Sequence, residues 1–522
     1  MPPLRDSQDD DTPAREVDPL LWRSSGKTNT NALSNNTEIN NGGPPQACEI
    51  RGNENSKKLL SKFVAILLLL LAILAAAWVA NESLNRSHDD DTGNPIIHES
   101  LTSDGTVNED CWWCSTDVTT TETFLPGLLP DQPNHSSSRH NKNSTNKRKR
   151  KLRWGVLGLG RIAKDFTTAL RMTGADVTAA AAGSLPNATA RARAFAKLYS
   201  IPQSYGSYQA MAEDTNIDIV YIATINTLHY DVALQMLKAG KNVLLEKPMT
   251  MKYEQAQMLA ATAKKEKRLL LTNYWTRFFP VVKYARSVLA SKELGDVNAM
   301  RGDFGFPAVP DIKDRFLNRT QGGGAMLDLG CYLVNVADMV NPTKDAPYQL
   351  QATAQRTYMG VKYGVDTELS FALNWKKSSS NKTTETPFLM TGQASFRRPS
   401  SFEIEIDATH GRLVIHSPAN AATAATVYKY APFGPMKERE YVRSELPTFD
   451  ESFGAEEYPR GAGFIYIIQD IEKCMYKEGI PGSKTDRDQP GCLELEPLTM
   501  QDQLNTAQMT DLILQNTGYF DW

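Results

Sequence analysis

Residues 153–163 read RWGVLGLGRIA, and the fold turns on how this stretch is taken. Its apolar run closes on Gly158-Leu-Gly160-Arg-Ile-Ala163, a G-x-G-x-x-A turn at a strand-to-helix junction. In such a turn the first glycine permits the tight bend and the second lets a pyrophosphate approach the backbone. A small third residue allows close helix packing, and the helix N-terminus faces the anion. A lone turn is weak evidence, so its surroundings decide.

Those surroundings alternate. DVTAAAAG (176–183), IDIVYIAT (217–224) and KNVLLEKP (241–248) read as strands, with ATARARAFAKLYS (188–200) and HYDVALQMLKAG (229–240) as helices between them. Such βα repetition predicts a parallel sheet with right-handed crossovers, whose ligands bind outside the carboxyl ends of the strands. Beyond about residue 276 the rhythm changes. A glycine-led helix near 323–341 precedes strand-like DTELSFALNW, FEIEIDAT and GRLVIHSP, which predict an antiparallel sheet. The expected fold class is α/β: a Rossmann dinucleotide-binding domain at 151–275, then a C-terminal α/β domain at 276–522 with a large, mainly antiparallel sheet.

Upstream the texture differs. Residues 1–58 are polar and poor in aromatic or β-branched groups, as expected of a disordered tail. FVAILLLLLAILAAAWVA at 63–80 has no polar side chain and spans most of a hydrocarbon layer of about 30 Å, so 59–80 reads as a single transmembrane helix. A buried core helix would show a polar stripe, and a signal peptide would start nearer the N-terminus. Lys57, Lys58 and Lys62 before it, with Glu82 and Asp89 to Asp91 after it, place the tail in the cytosol and the catalytic domain on the lumenal or extracellular side. Glycan-acceptor patterns at Asn81, Asn85, Asn134, Asn143 and Asn381 agree with that orientation. Residues 81–150 have linker composition and read as a disordered stalk.

Charge is nearly balanced, 57 Lys+Arg against 60 Asp+Glu, which gives no support for a nucleic-acid partner. The basic run at 147–151 reads as a solvated linker end. Cys111 and Cys114 read as a local disulfide or an incidental pair, and Cys331, Cys474 and Cys492 as buried and inert. No metal site is expected.

Three places carry candidate chemistry. The second strand ends without an Asp or Glu to hold ribose hydroxyls, while Ser184, Arg191 and Arg193 stand nearby, which favours NADP over NAD. Both arginines also fit a solvated helix face. Glu246-Lys247-Pro248 closes a buried strand, and the proline holds Lys247 extended into the cofactor crevice. Asp328 and Tyr332 lie four apart behind Gly322-Gly-Gly324, on one helix face, as a catalytic pair or as a dipole partner and a packing residue.

GLGRIA, ATINTLH (223–229), EKP (246–248), YWTRFFP (274–280) and GGGAMLDLGCY (322–332), in that order, resemble the Gfo/Idh/MocA oxidoreductases. Within them they resemble the branch of dimeric dihydrodiol dehydrogenases that also act as NADP-dependent D-xylose 1-dehydrogenases. The resemblance covers roughly 151–520. It implies Lys247, Asp328 and Tyr332 as the catalytic residues, with Tyr332 where many members have His. It implies cofactor contacts from Gly158, Gly160, Arg161, Ile162, Ala163, Ser184, Thr224, Asn226, His229, Glu246 and Lys247. Trp275 and Arg277 would border the substrate pocket. The expected activity is oxidation of an aldose or cyclic diol hydroxyl by hydride transfer to NADP, in a homodimer joined through the C-terminal sheet. The competing reading is an inactive NADP-binding sensor or membrane-tethered interaction protein on the same fold.

Overall fold

The computed structural model describes residues 118–126, 150–183, 186–308, 315–341, 346–376, 387–431, 434–481 and 491–521. Two sheets dominate. The first is six-stranded and wholly parallel, in the order Gln203–Tyr205, Asp176–Ala181, Arg153–Leu157, Ile219–Ile222, Asn242–Leu245 and Leu270–Thr272. By chain order this is 3-2-1-4-5-6, the doubly wound arrangement that opens a ligand crevice where the order reverses, between the first and fourth strands. The inner strands read as continuous apolar runs because helices cover both faces, as in Ile219–Ile222, every residue of which is buried.

The second sheet has nine strands, in the order Thr119–Leu125, Met436–Ser444, Ala424–Tyr430, Gly411–Ile415, Ile404–Ala408, Val297–Gly305, Phe388–Ser395, Glu368–Trp375 and Gln349–Gln355. It is mixed. Thr119–Leu125 pairs in parallel with Met436–Ser444, as does Phe388–Ser395 with Val297–Gly305, and the other pairs are antiparallel. Glu368–Trp375 alternates buried and less buried residues, so one face packs inward and the other faces out. One apolar cluster runs from Trp154 and Phe166 through Trp275 and Phe464 to Leu333 and Ile404, so both sheets share a core.

Three expectations are corrected. A membrane helix at 59–80 and the single-pass placement built on it do not stand: among the described residues no helix is long and apolar enough to cross a membrane, and 59–80 lie outside them. The longest described helix, Met500–Asn516, carries Asp502 and Asp511. The wholly buried Cys331–Val340 has ten residues, about 15 Å of rise and half a hydrocarbon layer. Within the stretch expected as a stalk, Thr119–Leu125 forms a strand, because a run of β-branched threonines suits a pleated edge and adds to Met436–Ser444. Cys474 and Cys492 form a disulfide, while Cys331 is free and buried. Cys111, Cys114 and the glycan-acceptor asparagines lie outside the described residues.

Candidate active site

The G-x-G-x-x-A turn leaves Arg153–Leu157 and enters the Arg161–Met172 helix. Gly158 has φ +85°, and a Cβ there would lie 2.6 Å from the Ala223 carbonyl oxygen, so only glycine lets the turn press against the neighbouring strand end. At Gly160 a Cβ would meet nothing within 4 Å, and the helix begins with no side-chain cap and no acidic residue in its first turn. Open space before uncapped N–H groups is what a dinucleotide pyrophosphate needs. Ala163 is fully buried and Ile162 packs on the core, so both act by letting the helix lie close. The hydroxyl of Thr224, just past the fourth strand, is buried without a hydrogen-bond partner, and the Thr224 backbone nitrogen lies 2.9 Å from where a Cβ at Gly158 would stand. These features fit a bound dinucleotide.

Asn226 and His229 do different work. The Asn226 amide donates to the Gly322 carbonyl at 2.8 Å and so ties the crevice loop to the glycine run of the other half. His229 is fully buried, with Nδ1 at 2.7 Å from the Pro248 carbonyl and Nε2 at 3.2 Å from the Thr224 carbonyl. Burial lowers its pKa to about 4, leaving a neutral ring that pins two loops. Ser184 lies outside the described residues, and Arg191 and Arg193 are exposed on their helix.

Lys247 ends the fifth strand, just before a cis bond to Pro248. Its Nζ donates to the Asp328 carbonyl at 2.8 Å and lies 3.2 Å from Asp328 Oδ1. It also stands 4.8 Å from the Tyr332 ring centroid, a cation–π position. Spacing anticipated Asp328 and Tyr332 on one face. The segment Met326–Gly330 that carries Asp328 is in fact a π-turn leading into Cys331–Val340, with the Cys331 N–H reaching back to the Met326 carbonyl. Such one-turn widenings re-aim side chains and recur at functional sites.

The charges settle each other. Burial alone would raise the Asp328 pKa, but Lys247 and Arg315 outweigh it and hold the carboxylate below its usual range. Burial alone would lower Lys247, but Asp328 outweighs it and raises the ammonium. The two partners agree on an ion pair. Burial raises the Tyr332 phenol above the ordinary tyrosine value, and the nearby Lys247 does not offset it. Glu246 is likewise pushed up by burial, and its Oε1 accepts from the Tyr221 hydroxyl at 2.7 Å and from the Asn273 amide at 2.6 Å. It braces the strand end that presents Lys247.

The YWTRFFP loop is placed otherwise than expected. Arg277 is 1% exposed and engages Asn335 at 3.0 Å, Asp338 at 2.8 Å and Asp502 at 3.4 Å, which makes it a core anchor and not a pocket wall. Trp275 is buried and stacks on Phe464 with centroids 4.2 Å apart. The loop residue that does reach the cluster is Tyr274, whose ring meets Tyr332 edge-on at 6.2 Å. Arg315 was also missed. Its guanidinium lies 3.2 Å from Asp328 Oδ1, the same oxygen that Lys247 meets. An arginine ahead of the glycine run was visible, but no periodicity placed it. A shallow groove of about 560 Å³ lined by Arg301, Asp303, Gln351, Phe371 and Glu405 lies on other elements, across the strands of the large sheet.

Comparison with known proteins gives a consistent picture. Residues 152–274 match the model of an oxidoreductase family with an NAD-binding Rossmann fold, and 282–414 match the GFO/IDH/MocA C-terminal domain. Trans-1,2-dihydrobenzene-1,2-diol dehydrogenase of Xenopus laevis is 39% identical over 331 residues, 62% of this chain and 89% of the relative. The protein of the same name from Xenopus tropicalis is 31% identical, covering 70% and 98%. Among solved structures, levoglucosan dehydrogenase with NADH and levoglucosan aligns with TM-score 0.55 at 18% identity, over 71% of this chain and 98% of that one. A 3-ketoreductase from Actinomadura kijaniata with NADP aligns with TM-score 0.53 at 20% identity, over 70% and 98%. At those identities the solved structures speak for the fold alone.

Proposed function

This chain belongs to the Gfo/Idh/MocA oxidoreductase family, and from that premise we propose that it is an NADP-dependent dehydrogenase oxidising a hydroxyl of an aldose or a cyclic trans-diol. The observation that carries the reading is the convergence of Lys247, Asp328 and Tyr332 beside a crevice shaped for a dinucleotide. The names of the relatives support the substrate class. The end of the second strand, Ala181-Ala182-Gly183, has no carboxylate to repel a 2′-phosphate and supports NADP.

A dinucleotide whose pyrophosphate the turn would hold would supply, in its nicotinamide, the acceptor for the hydride that leaves the carbinol carbon. In this reading the protein's own groups handle the rest. Lys247, kept charged by Asp328, donates a hydrogen bond to the substrate oxygen and fixes the carbon it bears. As the C–O single bond becomes a carbonyl, the hydroxyl proton passes to the Tyr332 oxygen. That transfer needs a phenolate. With burial raising the phenol, Tyr332 keeps its proton at neutral pH and is poised to give it back to a carbonyl in the reverse direction.

The test is a panel of pentoses, hexoses and cyclic trans-diols with NADP+ and with NAD+, followed by absorbance of the reduced nicotinamide. Turnover with NADP+ on at least one class is expected. Tight cofactor binding without turnover on any member would favour a sensor instead.

A further inference from the structure

Asp366 stands just ahead of the Glu368–Trp375 strand of the large sheet, 1% exposed, and the reaction described above gives it no part. Its Oδ2 accepts the Met326 N–H at 2.6 Å, and its own carbonyl accepts the Ala325 N–H at 2.9 Å. These two N–H groups open the π-turn Met326–Gly330, which has no side-chain cap of its own. A carboxyl forty residues further along the chain therefore caps it, on N–H groups that would otherwise be orphaned in the core.

The glycine run is shaped around this contact. Gly324 has φ +123°, and a Cβ there would overlap Asp366 Oδ1, so only glycine lets the carboxyl come so near. The Tyr519 hydroxyl donates to the Gly323 carbonyl at 2.7 Å and holds the run from the other side. Two residues past Met326, Asp328 donates its N–H to the Gly324 carbonyl at 3.1 Å. Its own carbonyl and Oδ1 receive Lys247 Nζ at 2.8 and 3.2 Å. Asp366 and Lys247 thus meet the same short piece of backbone, one at its start and one at Asp328.

One oxygen of this carboxyl, Oδ1, is buried without a hydrogen-bond partner. Burial raises the group from 3.8 to about 7, and the bonds from Met326 and Ala325 only partly offset it. Among the described residues, the charged and titratable groups that face it are Arg356, Tyr519 and, across the Tyr519 ring at 5.2 Å, Arg319. Arg356 is bonded to the Thr517 carbonyl at 2.7 Å and Arg319 to the Gly364 carbonyl at 3.2 Å. With its folded value above the unfolded one, this carboxyl lowers stability as pH rises from 3.8 through about 7. An ionised Asp366 is therefore a burden on the fold at neutral pH, and its use lies in the turn it holds.

We propose that Asp366 is a positioning residue that caps the π-turn from the large sheet and so sets Asp328 against Lys247. The inference rests on the reading of the site given above. As the carboxyl takes up a proton its bond to Met326 weakens, because a charged acceptor binds an N–H more strongly than a neutral one. The turn then loosens at its first residue, and Asp328 holds Lys247 less firmly toward the substrate oxygen.

Asp366→Asn keeps the shape and one acceptor oxygen but removes the charge. At pH 8 it is expected to lower kcat about tenfold, the scale of a charge-assisted hydrogen bond replaced by a neutral one, with the NADP+ dissociation constant from fluorescence quenching within about twofold. The melting temperature should hold or rise, since a buried charge is gone. A merely structural residue would show the opposite, so wild-type kcat, or a kcat loss accompanied by a lower melting temperature, would overturn the proposal. The pH profile adds a second arm in the carbonyl-reducing direction, where Tyr332 keeps its proton throughout. There kcat of the unaltered protein should fall as pH drops through about 7, and the Asn variant should lack that fall. A fall of the same size at the same pH in the variant would contradict the proposal. Hydrogen exchange needs no turnover: the variant should exchange faster in 324–330, and unchanged exchange there would also count against it. Failure of the underlying reading looks different: Lys247→Met would then keep wild-type turnover, whatever Asp366→Asn does.

Discussion

At the scale of single residues, the cluster is a set of charges that fix one another's protonation. Lys247 is held charged, Asp328 ionised and Tyr332 neutral, the first two by their pairing and the third by burial. If Tyr332 is the group that takes the hydroxyl proton, the active fraction in the oxidation direction grows as pH rises toward its raised pKa. Oxidation should therefore quicken steadily above neutrality, and Tyr332→Phe should lose that rise and fall by about 10²–10⁴ in kcat, the usual worth of a proton-transfer group. A pH profile of initial rates for both proteins checks this. Lys247, Asp328 and Tyr332 were legible in the sequence because each sits inside a short motif whose geometry is local. Arg315 and Tyr274 were not, because they reach the cluster only through tertiary packing. For Arg277 the motif gave the position correctly and the role wrongly, since nothing local says that Asn335, Asp338 and Asp502 will surround it.

At the scale of elements, the first strand of the parallel sheet is fastened where it begins. Asp218 accepts the Arg153 backbone N–H at 2.9 Å and pairs with the guanidinium groups of both Arg150 and Arg153. Burial would raise this carboxyl, but the bonds from Arg150 and Arg153 outweigh it and lower the pKa from 3.8 to about 2. A depressed pKa contributes stability that is complete above the unfolded value and fades as pH falls through the folded one. Asp218→Asn should thus cost about 1–2 kcal/mol at pH 7, discounted for the exposed Arg150, with the gap closing between pH 3.8 and about 2. Urea unfolding across that range measures it. The basic stretch ahead of the first strand, which composition reads as a solvated linker end, is tied down at its final arginine. Four of the six parallel strands could be read from apolar runs between turn signals, whereas Gln203–Tyr205 and Leu270–Thr272, three residues each, are too short to show a pattern. Thr119–Leu125 could not, because an edge strand's partner, Met436–Ser444, lies some three hundred residues away in sequence. The π-turn was hidden too, since its sequence continues the periodicity of an ordinary helix.

At the scale of the whole molecule, the site belongs to neither sheet alone. Lys247 comes from a strand end of the parallel sheet, while Asp328 and Tyr332 come from the segment that packs beneath the large one. Asn226 bonded to Gly322, and the loop of Glu457 and Tyr458 bonded to Asp165, hold the two contributions in register. The order of motifs in the sequence carried this architecture, whereas the membrane expectation drew on an apolar run and its flanking charges in a stretch outside the described residues. The most direct test is the turnover of Lys247→Met on the best substrate of the unaltered protein, with NADP+ affinity measured alongside. The account predicts a loss of at least about 10³ in kcat with cofactor affinity changed by only a few-fold, because Lys247 acts on the reacting oxygen in the transition state. Turnover within tenfold of the unaltered protein would contradict it.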